Sequence, residues 1–78
     1  MQVVLVTRQG CHLCDQALAL LHDLGLEPRL AYVDTDDELF RLYDWRVPVV
    51  LADGAVVAEG HISRQQLEKA LKRSGRES

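Results

Sequence analysis

The chain alternates apolar runs with segments of helical periodicity. Residues 2–7 form an almost continuous apolar run, which is typical of a central strand buried on both faces. Apolar side chains recur at helical spacing over residues 11–24, and Gly25 is the residue type that commonly ends a helix. The pattern therefore predicts a strand and then a helix whose first turn holds both cysteines of the chain, Cys11 and Cys14.

The next segments repeat the order of strand and helix. Residues 29–34 alternate well enough after Pro28 to predict a second strand. Thr35 and Glu38 have the spacing of a capping box, which predicts a short helix that ends near Asp44.

Two apolar runs flank Asp53-Gly54, a dipeptide that strongly favours a hairpin turn. Residues 49–52 and 55–58 are therefore expected to pair as antiparallel strands.

A second capping box, Ser63 with Gln66, predicts a last helix that runs toward Gly75. Residues 1–74 are expected to form a single domain, and residues 75–78 a frayed polar tail. The complete order, β-α-β-α-β-β-α, predicts an α/β fold with a four-stranded mixed sheet flanked by helices.

Composition and charge exclude several classes of protein. The chain has 78 residues, of which 47% are apolar and 27% charged, as in an ordinary globular domain. Its formal charge of −3 gives no basic surface for nucleic acid. Its first residues lack the pattern of a signal peptide or a membrane span. We therefore expect a cytoplasmic monomer with no nucleic-acid partner and no membrane partner.

The chemistry of the chain centres on the motif Cys11–His12–Leu13–Cys14. A cysteine reacts as a thiolate, and its pKa falls from about 8.5 to about 3.5–7.5 at a helix N-terminus or in a CxxC pair. Cys11 has both features and is the predicted nucleophile, while Cys14, one turn later, is the predicted resolving thiol. A protonated His12 would favour the Cys11 thiolate, and Arg8 would add a second positive charge.

The order of elements, the CxxC motif and Val47-Pro48 before the hairpin resemble the thioredoxin fold, and within it the glutaredoxin-like family. The resemblance extends from residue 2 to about residue 71. It implies a thiol–disulfide oxidoreductase that works through the Cys11 and Cys14 dithiol. It also implies a cis peptide bond before Pro48, and a Val47 backbone that pairs with a bound cysteinyl group.

The resemblance further implies a site for glutathione. That family holds the glutathione carboxylates with basic side chains. Arg8 matches the family's basic residue three positions before the first cysteine, and Arg46 lies beside the proline loop. His12 and Leu13 replace the family's usual Pro-Tyr, and Gly60 stands where the family has paired glycines. These residues are the predicted substrate site, glutathione is the implied electron donor or ligand, and disulfide-bearing proteins are the other implied partners. No metal or organic cofactor is required.

Other uses of the cysteine pair stay open at this point. The two thiols are alternatively structural, or they bind zinc with His22 or His61, although no second close ligand pair is visible. Small copper(I)-binding domains also carry CxxC, but they end in a strand rather than a helix. The alternative function is a thioredoxin-fold binding module that holds a soft metal or a client protein through the pair without redox turnover. Near Pro48, Tyr43 and Trp45 either line a binding groove or pack at its rim.

Overall fold

The computed structural model describes the backbone of residues 2–75 and the side chains of residues 2–71. The strands are β1 (Val3–Thr7), β2 (Arg29–Tyr32), β3 (Val49–Ala52) and β4 (Ala55–Glu59). The helices are α1 (His12–Asp23), α2 (Asp37–Tyr43) and α3 (Arg64–Gly75), with a 3₁₀ turn at Val33–Thr35. The predicted order of elements is confirmed. Of the expected frayed tail, residues 76–78 lie outside the described part of the chain, and Gly75 is the last residue of α3.

The four strands form one mixed sheet in the order β2-β1-β3-β4. Strand β1 runs parallel to β2 and antiparallel to β3, and β3 is antiparallel to β4. The parallel pair requires a crossover connection, which α1 supplies. The sheet and its helices form the thioredoxin-like arrangement that the sequence predicts. No helix within residues 2–75 is long and apolar enough to cross a membrane.

The sheet is covered on both faces by separate apolar clusters. On one face, β1 contributes Val3 and Leu5 to a core that α1 and α3 complete, with Leu21 and Leu67 both fully buried. On the other face, Val6 packs in a smaller cluster with the 3₁₀ turn and α2. The prediction that the first strand is buried on both faces is therefore confirmed.

The C-terminus of α1 is determined locally. Gly25 has a φ of 81°, and its N–H donates to the His22 carbonyl at 2.9 Å. The N–H of Leu26 donates to the Leu21 carbonyl at 3.0 Å. These two bonds form a Schellman motif, which satisfies the last carbonyls of the helix.

The start of α2 differs from the prediction. The residue that caps the helix is Asp36, whose Oδ1 accepts the N–H groups of Glu38 and Leu39 at 2.9 and 3.2 Å. The hydroxyl of Thr35 donates instead to the Tyr32 carbonyl at 2.9 Å. The predicted Thr35–Glu38 capping box is wrong because Thr35 is the last residue of the 3₁₀ turn. The same turn begins at Val33, so β2 ends at Tyr32 rather than at residue 34.

The predicted hairpin turn is confirmed, and so is the predicted cap of α3 at Ser63. Asp53 and Gly54 have φ values of 51° and 88° between the antiparallel strands β3 and β4, as a type I′ hairpin turn requires. At the start of α3, the Ser63 Oγ accepts the N–H of Gln66 at 3.1 Å.

Candidate functional site

The register of the sheet brings the predicted site residues to one end of the strands. Val6 pairs with Val49, so continuing the antiparallel register places Thr7 opposite Pro48. Gly60, directly after β4, donates its N–H to the Pro48 carbonyl at 2.8 Å. The end of β1, the beginning of β3 and the end of β4 therefore meet where α1 begins.

Cys11 and Cys14 are joined by a disulfide in the first turn of α1. Cys11 is the N-cap residue, with extended backbone angles, and its Sγ accepts the backbone N–H of Cys14 at 3.1 Å. Cys11 is half-buried, whereas Cys14 is only 1% exposed. An incoming sulfur can therefore approach Cys11, while Cys14 is reached through Cys11.

A small cavity lies behind Cys14, between β1, β2 and α1. Its volume is about 220 Å³, and Thr7, Tyr32 and Asp15 line it together with Cys14.

The two residues between the cysteines lie on the surface. His12 is exposed, and Leu13 is 39% exposed. Both side chains are therefore available to a molecule that approaches Cys11.

The proline segment, residues 46–48, lies directly before β3, at the end of the sheet where α1 begins. The Val47–Pro48 peptide bond is cis, Pro48 is buried and Val47 is half-buried. The N–H of Gly60 is already bonded to Pro48, so it is occupied within the fold.

Arg8, three residues before Cys11, is bound by two carboxylates. Its Nε and Nη2 donate to both carboxylate oxygens of Asp34, at 3.0 and 2.9 Å. Its Nη2 also donates to Oδ1 of Asp44 at 2.5 Å, and its Nη1 to the Asp44 carbonyl at 3.4 Å. The hydrogen bonds to these two carboxylates raise the pKa of Arg8, and the bond to Arg8 lowers the pKa of Asp34. Arg8 thus links the end of β1 to the 3₁₀ turn and to the end of α2.

Arg46 is paired in a similar way. Its Nε donates to Oε1 of Glu59 at 2.6 Å, and its guanidinium carbon lies 5.1 Å from the centroid of the Tyr43 ring. The hydrogen bond to Glu59 raises the pKa of Arg46. The bond joins the proline segment to the end of β4.

The sequence predicted the cysteines, both arginines and the proline segment as site residues, but it did not indicate the carboxylates that bind the arginines. Asp34 and Asp44 are 26 and 36 residues from Arg8, and Glu59 is 13 residues from Arg46. No spacing rule connects such positions. Across the described residues, there is no cluster of three or more His, Cys, Asp or Glu side chains that could hold a metal ion.

Comparisons with known proteins agree with this geometry. A family model described as a glutaredoxin-like domain (DUF836) matches residues 2–72. The chain is also similar to the X-ray structure of a Northeast Structural Genomics target protein from X. campestris, with a TM-score of 0.79 and 29% sequence identity. That similarity covers 91% of this chain and 96% of the other chain. A search of curated proteins found no match.

Proposed function

Because the chain belongs to the glutaredoxin-like domain family, we propose that it is a thiol–disulfide oxidoreductase that works through Cys11 and Cys14. The observation that carries this proposal is the position of the two sulfurs. A half-buried Cys11 caps α1, and a buried Cys14 follows one turn later within disulfide distance. Sequential disulfide exchange requires an attacking thiol that the substrate can reach and, within reach of it, a resolving thiol that is protected from the substrate.

In the first step, the Cys11 thiolate attacks one sulfur of a substrate disulfide. The substrate S–S bond breaks, its electron pair leaves with the other substrate sulfur, and a mixed disulfide forms on Cys11. The N–H of Cys14 lies at 3.1 Å from the Cys11 Sγ and donates to it. A hydrogen bond to the charged form favours that form, so this donor promotes the thiolate.

In the second step, Cys14 loses its proton and attacks the Cys11 sulfur. The mixed disulfide breaks, the second substrate thiol leaves, and the Cys11–Cys14 disulfide forms. Two electrons have then passed from the dithiol to the substrate.

Two thiols must then return the pair to the dithiol. Glutathione is the donor that the family resemblance implies, and its role stays a prediction. Donation of electrons by a small thiol needs access to the Cys11 sulfur, which the half-buried position of Cys11 allows.

The experiment that tests this function is a redox titration. The protein is equilibrated in glutathione buffers of known ratio, and the Cys11–Cys14 bond is quantified by thiol alkylation and intact mass. We expect a reversible two-electron midpoint in the range of known oxidoreductases, about −180 to −270 mV. A Cys14→Ser variant, which cannot form the bond, is the control.

Two results would overturn the redox function. One is a pair that never oxidises reversibly, and the other is a protein isolated with stoichiometric metal on its cysteines. Either would favour the alternative, a binding module that holds a soft metal or a client protein through the pair.

A further inference from the structure

The two arginines that the family resemblance assigns to glutathione are already paired within this fold. Arg8 binds Asp34 and Asp44, and Arg46 binds Glu59. An anionic ligand must displace these carboxylates or accept their repulsion. The site therefore lacks unpaired arginine charge at the two positions where glutathione carboxylates are expected to bind.

The segment that borders the proline is strongly acidic. Residues 34–44 contain five carboxylates and one arginine, Arg41. Among the described residues, the salt bridges to these carboxylates come from Arg8. Two of the five carboxylates, Asp34 and Asp44, share Arg8. The segment together with Arg8 keeps a net charge of −3, which attracts cations and repels anions.

A groove on this acidic segment combines aromatic rings with carboxylates. Its volume is about 510 Å³, and its lining residues are Asp37, Phe40, Arg41, Asp44 and Trp45. Phe40 is 45% exposed and Trp45 is 94% exposed, so both rings face solvent. Aromatic faces bind guanidinium and ammonium groups, and carboxylates pair with them. Asp44 and the Phe40 ring already interact with Arg8, whose guanidinium carbon lies 6.0 Å from the centroid of that ring. Asp37 and the Trp45 ring therefore remain for a ligand, and the net charge of −3 on the segment favours a basic side chain over an acidic one.

The groove is connected through Arg8 to the segment that carries the cysteine pair. Trp45 precedes the buried Pro48 by three residues, and Pro48 directly precedes Val49, the β3 partner of Val6 near the end of β1. Arg8 is three residues before Cys11 and binds Asp44, a lining residue of the groove. A peptide whose cysteine reaches Cys11 along the proline segment would therefore have its neighbouring residues at the groove.

We propose that this groove selects the substrate, and that the preferred substrate is a polypeptide disulfide with a basic residue near its cysteine rather than glutathione disulfide. The inference rests on the proposed oxidoreductase function. The basic side chain packs on the Trp45 ring and pairs with Asp37. The dithiol of Cys11 and Cys14 gives two electrons to the polypeptide disulfide, which leaves as two thiols.

The test compares disulfide peptides that differ only in charge. Two peptides of the same sequence carry either arginine or glutamate beside each cysteine, and a small neutral disulfide serves as the reference substrate. We expect the reduced protein to react at least about tenfold faster with the arginine peptide at low salt. The ratio of the rate with the arginine peptide to the rate with the glutamate peptide should fall toward one at high salt. The reason is that the Debye length decreases from about 30 Å at an ionic strength of 0.01 M to about 3 Å at 1 M. Oxidised glutathione, which has more carboxylates than ammonium groups, should react like the glutamate peptide.

Matched variants locate the effect. Asp37→Asn removes one carboxylate from the groove, and Trp45→Ala removes its most exposed ring; each should lower the arginine-to-glutamate ratio about threefold or more. Glu27→Gln removes a carboxylate from the loop before β2. This loop lies at the opposite end of the parallel strands from Arg8, so the variant should leave the ratio of the two rates unchanged.

The outcomes separate the two proposals. If the neutral disulfide reacts but the two peptides react equally, the substrate preference is wrong and the oxidoreductase function stands. If Glu27→Gln and Asp37→Asn lower the arginine-to-glutamate rate ratio equally, the proposed role of the groove is also wrong, since the effect would then follow net charge alone. If the neutral disulfide reacts no faster with the wild-type protein than with Cys11→Ser, both proposals fail.

Discussion

The backbone N–H of Cys14 donates to the Sγ of Cys11 at 3.1 Å, so the sulfur of one cysteine caps the helix that carries the other. A capping acceptor satisfies one of the N–H groups that a helix start leaves unpaired. An ionised acceptor makes a stronger hydrogen bond than a neutral one. In the proposed mechanism, the bond that caps α1 is therefore also the bond that favours the Cys11 thiolate.

The two cysteines are expected to differ in the effect of their removal. Cys11→Ser should abolish disulfide exchange, because the accessible sulfur is lost. Cys14→Ser should retain the first step and trap a mixed disulfide on Cys11, since no resolving thiol follows. Intact mass after incubation with a disulfide peptide detects the trapped species. Undiminished turnover by Cys11→Ser would show that the roles are assigned wrongly.

The ion pairs of Arg8 are expected to make stability depend on pH. The pKa of Asp34 in the folded protein lies below its usual value of 3.8, mainly because of the hydrogen bonds from Arg8. Its contribution to stability is therefore present above about pH 3.8 and is lost as the pH falls through the lower, folded-state pKa. Arg8→Gln should consequently destabilise the protein at pH 7 and have a smaller effect near pH 2.

Urea unfolding at several pH values measures this dependence. Arg29→Gln is the matched control, because it removes the same charge from the exposed start of β2. The ion-pair explanation fails if the two variants have the same pH profile.

The cap of α2 is expected to lie at Asp36 and not at Thr35. Asp36→Ala removes the acceptor of two backbone N–H groups, and should cost about 1 kcal/mol in the free energy of unfolding. Thr35→Ala removes a single hydroxyl donor outside the helix and should cost less. Chemical denaturation of both variants compares the two, and a larger loss in Thr35→Ala would contradict the assignment.

The hairpin between β3 and β4 is expected to depend on the backbone of Gly54. Its φ of 88° is unfavourable for residues with a Cβ, although a Cβ there would have no atom within 4 Å. Gly54→Ala should therefore cost about 1–2 kcal/mol through conformation alone. Gly54→Asn should cost less, because asparagine tolerates left-handed backbone angles better. Thermal or urea unfolding measures the stability of both variants. Equal losses would show that the left-handed backbone conformation at Gly54 is not the reason.

Local signals in the sequence accounted for most of the elements. The apolar run of β1, the glycine that ends α1 and the Asp53-Gly54 turn each depend on interactions within a few residues, so their spacing along the chain is sufficient. The start of α2 was predicted one residue early. Val33 is buried in the cluster with Val6, and the 3₁₀ turn that contains it displaces the cap to Asp36.

The motif at Cys11, the match of Arg8 to a family position and the place of Arg46 beside the proline were likewise visible in the sequence. The partners of those arginines were not, because an ion pair between segments forms only where strand order and register bring the segments together. The register of β1 with β2 and the position of α2 place Asp34 and Asp44 at one guanidinium. The sequence therefore specified which residues are candidates for reaction, whereas the tertiary structure decided which charges surround them. The physical reason is that charges remote in sequence interact only where the folded sheet brings them close together.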